Sequence, residues 1–212
     1  MNFNRTPAAL AGVLFQAGVL LLAGPPAADA QEKPPSPEQM AEIHGIMMNA
    51  MSPGPEHELL EALVGDWSTE VTMWPEPGAD PMTMTGSAKN RMVLGGRFLV
   101  SEAESGEGEL KSSSLTIFGF DRRSGDYTTV SFDTWGTYSV SAAGKVRAAD
   151  GTIVMHGEDS VAGTDHTQTY DFVLRRTGDD THVFEIVFTD PAHTRGGPPF
   201  KMVEITYRRT GQ

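Results

Sequence analysis

The chain has 212 residues, no Cys, 23 Gly and 14 Pro, with 16 basic against 28 acidic side chains and a formal net charge of −12. That is one domain's worth of chain. It excludes a disulfide framework, a thiol nucleophile, thiolate metal ligands, Cys-attached haem and a Cys-linked lipid. The acidic balance argues against nucleic acid and anionic lipid, whose phosphates are met by Lys and Arg.

Residues 1–30 read as a secretory signal. Arg5 is the one charge in a short polar start, Ala8 to Ala23 is apolar apart from Gln16, and Gly24-Pro25-Pro26 leads to a small-x-small end at Ala28-Asp29-Ala30. The apolar stretch is shorter than the roughly 20 residues a membrane-spanning helix needs. The expectation is therefore cleavage before Gln31 and an exported chain, periplasmic or secreted, with no stable membrane span. There is no twin Arg, so export in the unfolded state is expected.

Gln31–Pro37 holds three Pro and reads as an extended linker. A helix is expected over Pro37–Met51, with Met40, Ile43, Met47 and Ala50 as its apolar stripe. Such a stripe at helical spacing is expected to pack on the rest of the fold or cover its mouth. Ser52-Pro53-Gly54-Pro55 ends it. A second short helix is expected over Glu56–Val64, with Leu59, Leu60 and Leu63 inward and Gly65 as its C-cap. The organisation is thus a signal at 1–30, a Pro-rich linker and Met-rich helix at 31–52, and a β domain at 53–212.

From Asp66 on, Thr, Val, Ile, Phe and Tyr alternate with polar residues between regular turn signals. Strands are predicted at 66–74, 82–93, 97–105, 112–121, 126–134, 137–147, 152–158, 165–176, 181–189 and 199–209. Short turns, such as Asp121-Arg-Arg-Ser-Gly125 and Gly178-Asp179-Asp180, favour an antiparallel meander. No helix-length pattern lies between strands, so a parallel α/β sheet is excluded. At 181–189, His182, Phe184, Ile186 and Phe188 oppose Val183, Glu185 and Val187; at 201–209, Lys201, Val203, Ile205, Tyr207 and Arg209 oppose Met202, Glu204, Thr206 and Arg208. Neither face is cleanly polar, which suits an up-and-down barrel with a partly polar cavity.

Several blocks, in order, carry a resemblance. Pro53-Gly-Pro-Glu-His57, Gly65-Asp-Trp67, Pro75-Glu-Pro-Gly78, Leu94-Gly-Gly-Arg-Phe98, Phe118-Gly-Phe-Asp121, His182-Val-Phe-Glu185 and Phe200-Lys-Met-Val-Glu-Ile-Thr-Tyr207 resemble domain-of-unknown-function family 1579 over about residues 53–209. Where that family carries a Trp in its fifth strand this chain has Ser131, and a Trp stands instead at Trp135. The resemblance implies a calycin-like barrel of the lipocalin kind. It also implies that Trp67 packs against a basic side chain of the last strand, Arg208 or Arg209, as a structural latch.

No nucleophile elbow, phosphate loop, dinucleotide fingerprint or HExxH spacing is present. Leu94-Gly95-Gly96-Arg97 reads as a hairpin turn. His44, Met47, Met48 and Met51 share a helical face and are weak candidates for copper. His156 and Glu158 share a strand face but are too few for a metal site. His156, His182 and His193 are the haem candidates that such a barrel offers, and no motif selects any of them, so no cofactor is assigned. The expected ligand-binding residues of the cavity are Arg97, Glu102, Asp133, Trp135, Glu185, Glu204 and Tyr207. The leading expectation is non-catalytic binding of a small, partly apolar ligand. The alternatives are a hydrolase or isomerase that uses the cavity, and an interaction or copper-binding module acting through the Met-rich helix.

Overall fold

The computed structural model describes residues 34–147, 149–161 and 163–211. The expected signal, 1–30, lies outside the described residues. The chain divides at Ser36, and the unit from Pro37 onward holds everything that follows. No helix among the described residues is long and apolar enough to cross a membrane.

Helix α1 spans Pro37–Met51, and none of its residues is buried. The stripe expected to pack on the fold does not do so. Met40 is 53% exposed and Met47 56%. A stripe needs a facing surface, and Arg97 and Arg122 reach α1 at backbone carbonyls near its last turn. There Arg97 Nε and Nη2 donate to the Met51 carbonyl at 3.2 and 2.9 Å, and Arg122 Nη1 donates to the Asn49 carbonyl at 2.8 Å. Removing residues 31–51 is therefore expected to change stability by less than about 1 kcal/mol, since the hydrogen bonds at its last turn are exposed. The urea midpoint checks this; a larger drop would mean that α1 packs more tightly in solution.

The second helix is shorter than its Leu pattern suggests. A 3-10 turn at Pro55–His57 leads into α2, Glu58–Glu61. Leu60 and Leu63 are 1% and 3% exposed and join Leu99, Tyr127, Ile153 and Leu174 in one apolar cluster. Tyr127 Oη donates to the Glu56 carbonyl at 2.8 Å. This segment thus plugs one end of the barrel with leucine side chains.

The ten strands are β1 Gly65–Met73, β2 Met82–Val93, β3 Phe98–Ser105, β4 Ser112–Asp121, β5 Asp126–Asp133, β6 Val140–Val146, β7 Ile153–Ser160, β8 Thr167–Arg176, β9 Thr181–Phe188 and β10 Phe200–Arg209. Each pairs antiparallel with the next, and β1 pairs with β10, so the sheet closes into a barrel without edges. A register shift in β10 between Lys201 and Val203 lets Met202 and Val203 both line the interior. It also leaves Lys201 outside, although it shares sequence parity with Val203.

The seam between β1 and β10 carries a latch. Trp67, 2% exposed, lies opposite Arg209 in the ladder. The Arg209 guanidinium stands 4.2 Å from the indole centroid, while Arg208 is exposed. Arg209 Nη1 donates to the Val64 carbonyl at 2.5 Å, Nη2 to the Ala62 carbonyl at 3.1 Å, and Nε pairs with Asp180 at 3.0 Å. Trp67 Nε1 and Asn90 Nδ2 both donate to the Leu63 carbonyl, at 2.9 and 3.0 Å. One arginine and one indole thus join the plug, the first strand and the last. Gly65 makes the approach possible, because its φ is +137° and a Cβ there would lie 2.5 Å from Arg209 Nη1.

Candidate functional site

The plugged end leaves the opposite end open, where β1 finishes and β2 begins. The interior there is a cavity of about 330 Å³. Its wall has two chemistries. β3, β4 and β5 turn small hydroxyl residues inward, among them Ser101, Ser105, Ser112, Ser114, Thr116 and Ser131. Thr116 Oγ1 and Ser131 Oγ lie 2.8 Å apart and share a hydrogen bond. β8, β9 and β10 supply the facing wall with Tyr170, Phe172, Phe184, Ile186, Phe188, Val203 and Ile205. Its rings interlock, with centroids 4.9 Å apart for Tyr170 and Phe172 and 5.2 Å for Phe172 and Phe184. Trp135 and Tyr138, on the loop after β5, stand at the mouth and are 53% and 63% exposed.

Three of the seven expected cavity residues line this space: Asp133, Trp135 and Tyr207. Asp133 carries the only charge among the described lining residues, and its carboxylate accepts the Trp135 backbone N–H at 2.8 Å. Burial pushes the Tyr207 hydroxyl up to about 12, so it stays neutral and able to donate. The other four lie elsewhere. Arg97 sits at the plugged end on the Met51 carbonyl. Glu102 is outside, paired with Arg91 at 2.5 Å. Glu185 and Glu204 are outside too, gathered by Lys201, with Glu185 Oε1 3.2 Å from its ammonium. Each has its partner outside the lumen: the Met51 carbonyl for Arg97, Arg91 for Glu102 and Lys201 for the two glutamates.

The three haem candidates are dispersed. His156 is on the outer face, bonded to Asp171 and Arg147. His182 is 3% exposed at the plugged end, stacked on Tyr207 at 4.2 Å and edge-on to Trp67 at 4.4 Å. His193 lies outside the rim on the ring of Phe188 at 4.4 Å. None of the three lines the cavity. His44, Met47, Met48 and Met51 lie on exposed α1.

The hydroxyl wall was missed in the sequence, although a signal exists. Ser101, Ala103 and Ser105 alternate with Glu102 and Glu104, and Ser112, Ser114 and Thr116 follow with the same period. On β3, charge on one parity and small residues on the other mark the small side as inward; β4 carries no charge on its opposite parity, and its facing follows from pairing with β3.

The class these observations define is a closed ten-stranded antiparallel barrel, plugged at one end, with a two-sided cavity open at the other. The chain belongs to the family described as protein of unknown function (DUF1579), whose model matches residues 52–209. Among solved structures it is similar to the crystal structure of Rv2717c from M. tuberculosis. That match has a TM-score of 0.52 and 14% identity, and covers 76% of this chain and 100% of that one, a likeness of fold alone. No curated protein matches it.

Proposed function

We propose that this chain is an exported protein that binds one small, partly apolar molecule in the barrel cavity. The observation that carries the reading is the divided wall, with hydroxyls on β3–β5 facing aromatic rings on β8–β9 around about 330 Å³. That volume falls at the lower end of the range for small-molecule sites, about 300–1,000 Å³. The apolar body of the guest lies on the rings and its polar end on the serines. A neutral or cationic polar end fits better than an anionic one, because Asp133 is the charge at that wall. The expected signal at 1–30 supports the exported setting.

Native mass spectrometry of the protein purified from its exported compartment, and a titration with the neutral dye Nile red, test this. One guest per chain is expected, released unchanged on denaturation, and Nile red is expected to bind with the same stoichiometry. Ser114→Phe fills the lumen and is expected to weaken Nile red at least tenfold with the fold retained by circular dichroism. Wild-type protein that takes up neither guest, or a filled variant that binds as well as wild type, would overturn the reading. A guest released chemically altered would favour the enzyme alternative.

A further inference from the structure

We propose that His166, Asp190 and His193 form a site for one divalent transition-metal ion of the zinc class at the rim of the barrel. The inference goes beyond the cavity reading and does not depend on it. The three side chains come from two segments: His166 from the turn before β8, and Asp190 and His193 from the cap and body of the short helix α3, Pro191–Thr194, after β9. His166 Nε2 and His193 Nδ1 each lie 2.9 Å from the same carboxylate oxygen, Asp190 Oδ2. All three donor atoms lie within 4.8 Å of one another. A zinc ion holds N and O donors at about 2.0–2.2 Å and so sets them roughly 3.4 Å apart in a tetrahedral site. Small rotations of the two imidazoles meet that spacing.

Charge points the same way. Asp190 is 4% exposed, and its ion-pair partners are these two imidazoles. A buried carboxylate is costly without a counter-charge. In these hydrogen bonds each ring nitrogen donates its N–H to the carboxylate; a dication that displaces the two protons takes up the freed lone pairs and supplies full positive charge. The donor set selects the ion. Two imidazoles and one carboxylate suit zinc and its neighbours, whereas calcium and magnesium take oxygen ligands.

The scaffold holds the donors in place. The His193 ring is stacked on Phe188, and the backbone of His166 is bonded on both sides, to Thr164 Oγ1 at 3.1 Å and from the Val161 N–H at 3.0 Å. The imidazoles are 41% and 36% exposed, so the ion enters directly from solvent. Three protein donors leave a fourth position for water or for an atom of another molecule. When loaded, the ion staples the turn before β8 to the segment after β9.

The test uses purified protein stripped with EDTA, titrated with Zn²⁺ alone by calorimetry and with Co²⁺ alone by visible absorption. One Zn²⁺ per chain is expected, together with the intense d–d band of low-coordinate Co²⁺. His166→Gln and His193→Gln are each expected to weaken Zn²⁺ at least tenfold and to abolish the Co²⁺ band, whereas His156→Gln leaves both unchanged. Both target histidines are half-exposed, so their replacement does not threaten the fold, and circular dichroism confirms this. Wild-type protein that takes up no stoichiometric Zn²⁺ would overturn the proposal, as would affinity undiminished in both variants. The latter result would place the ion elsewhere, for example on α1.

Discussion

Trp67→Ala is expected to lower the stability of the barrel by about 3–5 kcal/mol, the usual cost of emptying a buried Trp site. Three losses combine. The indole is 2% exposed, so its removal leaves a void at the β1–β10 seam. Arg209, 4.2 Å above the ring, loses its cation–π partner while still tied to Ala62 and Val64. The Leu63 carbonyl keeps only the Asn90 donor. Because the plug hangs on that carbonyl, damage at the seam reaches the Leu60 and Leu63 cluster. Trp67→Phe keeps an aromatic face under Arg209 and loses the indole N–H, so its cost is expected to be smaller, about 1–2 kcal/mol. Urea unfolding of both variants measures the pair. An alanine cost under about 1 kcal/mol would show that the latch does not hold the seam.

The second large effect is a pH dependence centred on His182. Its imidazole is pushed down to about 3, first by burial and then by the guanidiniums of Arg209 and Arg176. In the unfolded chain it takes up a proton as pH falls below about 6.5; in the folded chain it does so only near 3. The unfolded state therefore binds more protons across that window, and stability falls as pH falls. The His182 contribution is present in full above pH 6.5 and is lost progressively toward pH 3, in total about 5 kcal/mol. Carboxylates add their own loss lower down. Arg123 beside Asp121 holds that carboxyl down at about 2, and His166 and His193 hold the Asp190 carboxyl well below the usual range.

The His182→Phe variant isolates the effect. It keeps a ring against Tyr207 and Trp67 and removes Nδ1, which is buried without a hydrogen-bond partner. At pH 7 its stability is expected within about 1 kcal/mol of wild type. Between pH 6.5 and 4 its unfolding free energy is expected to stay nearly level while that of wild type declines. Parallel curves for the two proteins would remove His182 as the cause.

The strands themselves were legible. β2 and β4 coincide with their predicted bounds, and every predicted strand is present. Alternation and short turns are local signals, and closure of a meander follows once neighbours pair in order. The facing of individual side chains was less legible. At 201–209 a strict period of two puts Lys201 with Val203, yet the bulge separates them, and one slipped residue exchanges the faces. Glu185 and Glu204 read as inward candidates because a strict period of two puts Lys201 on the opposite face of β10 from Glu204, and only the bulge and the β9–β10 pairing bring it to both. The Met stripe of α1 shows the opposite error. Its period is genuine, but period alone does not provide a surface to pack against.

The sequence by itself determined the order of ten strands, the antiparallel meander and the family to which the chain belongs. These rest on local pattern, turn chemistry and blocks of adjacent residues. Only the tertiary structure decided which walls meet across the lumen, that Arg209 rather than Arg208 stands on Trp67, and that His166, Asp190 and His193 converge. Those facts depend on barrel closure and register, which bring together atoms far apart along the chain, and no local period encodes such distances.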